Sequence, residues 1–313
     1  MSNKAKNYEV IVVGAGPAGL TAALYLARFR RKVLVIHDGN SRALRIPTTH
    51  NAPGFPDGIR GTELIERMTR HAVEFGAKIL EAKITDLEQS EGGFRLVGED
   101  GRAWNSRSVI LASGILLNQV DLPPDLHEQA IEAGVLRYCP ICDGFEHSDA
   151  RIGVIGCDSN GAAEALFLRQ YSANITLMPL GYPELSPEQS RELRGAGIAV
   201  ETGALTLLEP HVDHMAVHLE DRDEPLRFDV IYPALGVRPR AELASRAGIT
   251  LEPDGCIPAG SVNDSGVAGF FAAGDVTEGL DQISVAMGHG AVAATNAHNW
   301  LREQDSHTLQ AED

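Results

Sequence analysis

Two cysteines separated by two residues, in Cys139-Pro140-Ile141-Cys142-Asp143-Gly144, are the side chains of this chain best suited to redox chemistry. In a helical turn, residues three apart lie about one turn from each other, within reach of a disulfide. Cys139 is expected at a helix N-cap, with Pro140 at the favoured first helical position. The positive end of the helix dipole then favours a thiolate over a thiol. Asp143 directly follows the second sulfur and is placed to shuttle a proton to or from it. A zinc site would need two more Cys or His ligands at suitable spacing. His147 is close, but no second pair follows, so no metal is assigned to the pair. His211, His214 and His218 stand among Asp213, Glu220 and Asp221 and read as a solvated stretch, again without a metal. Cys157 and Cys256 read as small buried fillers.

Two strand–turn–helix units frame this motif. In the first, a mostly apolar strand over 8–13 leads into Gly14-Ala15-Gly16-Pro17-Ala18-Gly19, then a helix from about 20 to 30 and a strand over 32–36. Gly14 permits the tight turn, Gly16 lets a pyrophosphate approach the backbone, and Gly19 lets helix and strand pack closely. The helix N-terminus adds free N–H groups and a positive dipole end for phosphates. An acid usually grips the ribose hydroxyls at the end of the following strand; here that place holds His37, with Asp38 next. Asp38 is the better candidate because a carboxylate accepts twice; the alternative is that both are surface loop residues.

The second unit has a strand over 152–155, a helix over 160–171 and a strand over 175–178. Aligning Gly156 with the first fingerprint glycine and Gly161 with the third puts Asp158 at the second. A side chain stands where a pyrophosphate must touch backbone, and its charge opposes that of the ligand, at a cost on the order of 1 kcal/mol or more. The next strand ends in Met178-Pro179-Leu180-Gly181, with no acid for a ribose and no arginine for a 2′-phosphate. Binding of NADH or NADPH is therefore expected to be weak, unless Arg191 and Arg194 or another backbone geometry restores it.

The rest of the chain reads as a helix over 61–75, strands to about 110 closing on Ser113-Gly114, and a linker at Pro123-Pro124. Strands and turns follow over 197–233, then a strand ending in Gly274-Asp275 and a long helix over 283–301. Ala234-Leu235-Gly236 repeats the small-residue pattern of 112–114, so the chain looks like two related halves. At 313 residues it suits about two domains. The formal charge of −16 repels phosphate backbones and anionic lipid, so neither nucleic acid nor membrane is expected as a partner. Residues 1–6 are polar with no apolar signal segment, and two isolated cysteines beside one close pair fit a reducing cytoplasm.

Taken together, the glycine turn, Asn51-Ala52-Pro53-Gly54, the Cys139–Gly144 stretch, Phe271-Ala272-Ala273-Gly274-Asp275 and Gln282-Ile283 make the chain resemble the low-molecular-weight thioredoxin reductases from Gly14 to Leu301. The resemblance implies an α/β fold of two Rossmann-like domains. One is a discontinuous FAD domain over 1–118 and 245–313; the other is a smaller insert over 119–244 that carries the dithiol and normally binds NADPH. It assigns to FAD the positions Gly14, Gly16, Pro17, Ala18, Gly19, Asp38, Arg42, Asn51, Ser113, Gly114, Gly274, Asp275, Gln282 and Ile283. Asn51 would lie near the flavin ring, Asp275 at the ribitol, and the backbone N–H groups of Gln282 and Ile283 at the pyrimidine edge. Cys142 would face the flavin, Cys139 would exchange with substrate, and Asp143 would be the acid–base group. A homodimer is implied as well.

The departures at Asp158, at the missing phosphate arginines and in the Cys-Pro-Ile-Cys spelling make the chain more similar to a branch without NADPH recognition. That branch includes oxygen-using dithiol oxidases and reductases with other electron donors. The expected partner is a small dithiol or disulfide, or a thioredoxin-like protein. An NADPH-dependent thioredoxin reductase with an atypical loop and a non-catalytic flavin/thiol sensor are the alternatives.

Overall fold

The computed structural model describes residues 6–181, 183–262 and 265–307. Contacts divide the chain into two units, 1–48 with 52–116 and 238–313, and 49–51 with 117–237.

In the first unit, apolar β-branched runs build a parallel sheet. Strand Lys6–Val13 lies between Val33–His37 and Ala103–Leu111; Lys78–Glu81 extends one side, and Phe270–Ala272 pairs with Ala103–Leu111. Strands Gly93–Gly98 and Ile84–Ser90 continue the sheet antiparallel. Val13 is in register with both Ile36 and Leu111, and Leu111 with Ala272. The carboxyl ends of four parallel strands therefore finish together, which brings Gly14, His37, Ala112 and Ala273 to one edge. Ligands of open parallel sheets bind at that edge.

Helix Pro17–Arg28 lies against the long helix Ile283–Gln304, and a Cβ on Gly290 would collide with the Ala18 carbonyl. Val10, Val12, Ala22, Leu26, Ala293 and Ala297 form the core on that side. Ile11, Leu34, Phe94, Leu111 and Phe270 form it on the opposite face.

The second unit repeats the pattern on a smaller scale. Ile152–Ile155 pairs in parallel with Ile175–Met178 and Val230–Pro233, and Ala199–Val200 adds an edge. A three-stranded antiparallel sheet, Leu205–Pro210, Met215–Leu219 and Leu226–Phe228, completes it. Pro123-Pro124 is not a linker: Pro124 opens helix Pro124–Ala133, where a proline in the first turn costs no hydrogen bond, and Gly134 ends it at φ 87°. Helix Pro187–Gly195 is held by a reciprocal capping box between Ser186 and Gln189, and Leu193 from it is fully buried. No helix among the described residues is long and apolar enough to cross a membrane.

Candidate active site: a disulfide turn and two nucleotide turns

Cys139 and Cys142 are joined by a disulfide, with their Cα atoms 5.3 Å apart. The local sequence builds the turn as expected. Cys139 is the N-cap in extended conformation, and Pro140 opens the one-turn helix Pro140–Asp143. Cys142 N–H donates to the Cys139 carbonyl at 2.9 Å. Gly144 follows because a Cβ there would press on Pro140 O at 2.6 Å and on the Tyr171 ring at 2.9 Å. Asn51 clusters with this unit: its Nδ2 donates to Ile141 O at 3.3 Å, and its Oδ1 accepts from Thr49 Oγ1 at 2.9 Å. Ile141 and Phe145 beside the sulfurs are 48% and 75% exposed, so the turn presents an apolar rim to solvent.

Asp143 is held at both oxygens. Tyr232 Oη donates to Oδ1 at 2.7 Å, and Arg137 Nε lies 3.1 Å from Oδ2. Burial pushes the Asp143 carboxyl up to about 6; the Tyr232 hydrogen bond and the Arg137 charge oppose that rise, and Glu146 adds to it. A carboxyl poised there can both take and give a proton near neutral pH. Burial also lowers the pKa of His147, with Arg137 adding to the effect, and its ring packs edge-on against Tyr232.

In the first unit the glycine turn is an open cradle. Gly14 sits at φ 113°, and a Cβ on it would collide with the Ala112 carbonyl, while one on Gly19 would collide with the Gly14 carbonyl. Over Gly16 the nearest atom to such a Cβ is Ser41 Oγ, at 3.4 Å. Gly16 caps helix Pro17–Arg28 without any side-chain hydrogen bond, and Pro17 stands in its first turn. Ala18 is a packing residue, closed over by Gly290 and by Gly274 at φ 79°. At the same sheet edge Ser113 Oγ donates to Arg240 O at 2.6 Å, and Gly114, at φ 69°, has open space above it.

Charged residues line this edge. Arg42 Nη1 lies 3.3 Å from Asp275 Oδ2 and 4.0 Å from Asp281 Oδ2. Burial raises Asp275 against the pull of Arg42; burial and then Asp275 push Asp281 up to about 6. Gln282 is the N-cap of helix Ile283–Gln304 without a side-chain capping hydrogen bond, and Ile283 packs on Ala52, Ile59 and Leu64. Two helix N-termini without side-chain caps, glycines that admit close approach and an arginine at the sheet edge fit a dinucleotide such as FAD.

Asp38 does not stand open. Arg240 donates to its Oδ2, and Asn40 N–H donates to Oδ1 at 3.1 Å. Burial alone would raise the Asp38 carboxyl, but these donors hold it below the usual carboxylate range. His37 Nδ1 accepts from Gly39 N–H at 3.1 Å.

The turn of the second unit has the same backbone and a different occupant. Gly156, at φ 128°, and Gly161 stand like Gly14 and Gly19, and a Cβ on Gly161 would collide with the Gly156 carbonyl. Between them Asp158 caps helix Ser159–Leu168, its Oδ1 accepting from Gly161 N–H at 2.9 Å. A carboxylate of the chain itself thus covers the helix N-terminus. One turn further, the buried Oε2 of Glu164 makes no hydrogen bond among the described residues, and burial, with the Asp158 charge adding, pushes this carboxyl up to about 7.

Arg191 and Arg194 are exposed on helix Pro187–Gly195. Cys157 is buried, but Cys256 is only half-buried, so the filler reading fails for it: it lies in a turn where Glu252 N–H bonds its carbonyl and its own N–H donates to Asp254. The His211 and His214 rings stack 4.3 Å apart beside Glu209 and Asp213, and no group of three or more His, Cys, Asp or Glu among the described residues is arranged to hold a metal ion.

Residues 8–290 match the family described as pyridine nucleotide-disulphide oxidoreductase. The thioredoxin reductase of Mycolicibacterium smegmatis is 32% identical over 317 residues, with 97% of this chain and 100% of that one covered. The bifunctional thioredoxin reductase/thioredoxin of Mycobacterium leprae (strain TN) is 29% identical over 311 residues, covering 95% of this chain and 66% of that protein. The crystal structure of HlmI is similar with a TM-score of 0.88 at 27% identity, over 96% of this chain and 94% of that one.

Proposed function

Because the chain belongs to the pyridine nucleotide-disulphide oxidoreductase family, we propose that it is an FAD-dependent dithiol/disulfide oxidoreductase of the thioredoxin reductase kind that draws little on NADPH. One observation carries the distinctive part of this reading: the Asp158 carboxylate accepts from Gly161 N–H at the helix N-terminus where a second dinucleotide would set its pyrophosphate. The first turn keeps that place open for FAD.

The half-reaction at the sulfurs follows from the residues of the second unit. A substrate thiolate attacks Cys139 Sγ; the Sγ–Sγ bond breaks and its electron pair stays on Cys142. The second substrate thiol gives its proton to Asp143 as its sulfur attacks the mixed disulfide. Cys139 leaves as a thiolate and takes that proton from Asp143. The substrate becomes a disulfide, two electrons rest on the enzyme dithiol, and one proton has gone to solvent. FAD, when bound, supplies the two-electron link between this dithiol and oxygen or another carrier. Run in reverse, the same groups reduce a disulfide.

The apolar rim of Ile141 and Phe145 suits a small apolar dithiol or the flat face of a thioredoxin-like protein. A homodimer is the assembly proposed for the chain. Cys142→Ser tests the site: FAD stays bound, and dithiol-driven flavin reduction falls on the order of a thousandfold or more, read by anaerobic stopped-flow absorbance. Retained turnover would remove Cys142 from the electron path. The names of the curated relatives favour a second reading, an NADPH-dependent thioredoxin reductase, under which NADPH alone would bleach the flavin rapidly.

A further inference from the structure

The Asp143 carboxyl has two partners that lie far from the Cys-x-x-Cys motif in function and, for one of them, in sequence. Tyr232 is 89 residues away, on strand Val230–Pro233, and is 0% exposed. Arg137 precedes the motif and anchors itself by donating from Nη1 to Ile131 O at 2.7 Å. Both are donors toward Asp143, one at each oxygen. Resting on the assignment of Asp143 as the acid–base group of the dithiol, we propose that Tyr232 and Arg137 are positioning residues that aim its carboxylate and keep it ready to accept the substrate thiol's proton.

The geometry gives each a distinct part. A carboxylate accepts from both donors at once and faces the arginine as an ion pair, whereas a protonated carboxyl meets the arginine only as a neutral acceptor and keeps the tyrosine only by turning its hydroxyl round to accept. The pair therefore favours the proton-accepting form of a group that burial alone would keep protonated. Tyr232 cannot exchange Asp143 for water, since its whole side chain is sealed in the core with Val154 and Val230. Its hydroxyl proton is itself held on, because burial and the Asp143 charge both raise the phenol. Also at the site are Glu146, which disfavours the carboxylate and lies 3.3 Å from His50 Nδ1, and His147, whose ring packs edge-on against Tyr232 and whose pKa burial lowers.

The test is the pH profile of anaerobic flavin reduction by dithiothreitol in the holoenzyme, with rates expressed per dithiothreitol thiolate. In the wild type the profile should break near 6, the value of Asp143. Tyr232→Phe should move the break upward by about one pH unit, with FAD content unchanged, since a hydrogen bond to a charged group is worth about that much. Arg137→Gln should move it in the same direction from the other side, and Arg137→Lys should move it less. Asp143→Asn should remove the break. Tyr232→Phe and Arg137→Gln profiles that overlay the wild type, while Asp143→Asn still loses the break, would overturn the positioning role and leave Asp143 as the acid. A break that survives Asp143→Asn would overturn the Asp143 assignment and the inference with it.

Discussion

Gly16 and Asp158 occupy the same place in two turns that are otherwise built alike. In both, a strand ends on a glycine at positive φ, and a second glycine five residues on presses against the first one's carbonyl. The first turn leaves its helix N-terminus without a side-chain cap; the second fills it with a carboxylate. A Rossmann-like turn can therefore keep its architecture while a carboxylate of the chain takes an N–H of its helix end. The hydrogen-bonding need of the helix end is met either by a ligand or by the chain.

Making the first turn like the second should have the largest effect. Gly16→Asp has room for its Cβ, but its carboxylate would compete for the same N–H groups and repel the pyrophosphate. FAD affinity should fall about 100-fold, measured by titrating apoprotein with FAD. Unchanged affinity would mean that the turn does not hold the phosphates.

The acid behind the second turn gives a smaller, pH-dependent effect. The Glu164 pKa is raised to about 7 in the folded chain, so the folded state binds more protons than the unfolded one between about pH 4.5 and 7, and this group's contribution to stability declines as pH rises through that window. Glu164→Gln should stabilise the protein by about 1–2 kcal/mol at pH 8, after allowance for partial exposure, and the gain should largely disappear at pH 5. Denaturant melts at the two pH values check this; an equal effect at both would remove the burial argument.

Opening the second turn should do least. Asp158→Gly frees the helix end but restores no acid or arginine after strand Ile175–Met178. NADPH affinity should improve by less than about tenfold by calorimetric titration, and NADPH-driven turnover should stay low. A large gain would show that this one carboxylate is the whole barrier.

Local features of this protein were legible in its sequence. The disulfide turn needs only Cys139, Pro140 and Cys142 within one helical turn, and the cradle only the spacing of Gly14, Gly16 and Gly19. What stayed hidden depends on distant strands arriving together. Tyr232 reaches Asp143 across 89 residues, and Arg240 reaches Asp38 across 202; neither partner carries a local signal. The Arg240 contact to Asp38 could not be anticipated, because the arginine that engages it lies in another segment. The missed helix Pro187–Gly195 did have a signal, Ser186 three residues before Gln189. Pro123-Pro124 was misread because the dipeptide serves breaks and helix starts alike, and the Pro124–Ala133 face that decides is buried by residues far along the chain.

The central claim, that electrons pass through the sulfur pair and not through a pyridine nucleotide, is tested most directly by mixing the oxidised holoenzyme without air against NADPH in one syringe series and dithiothreitol in another. The account predicts that dithiothreitol bleaches the flavin quickly, that Cys142→Ser abolishes this, and that NADPH bleaches it slowly or not at all. Bleaching by NADPH as fast as by the dithiol would contradict it.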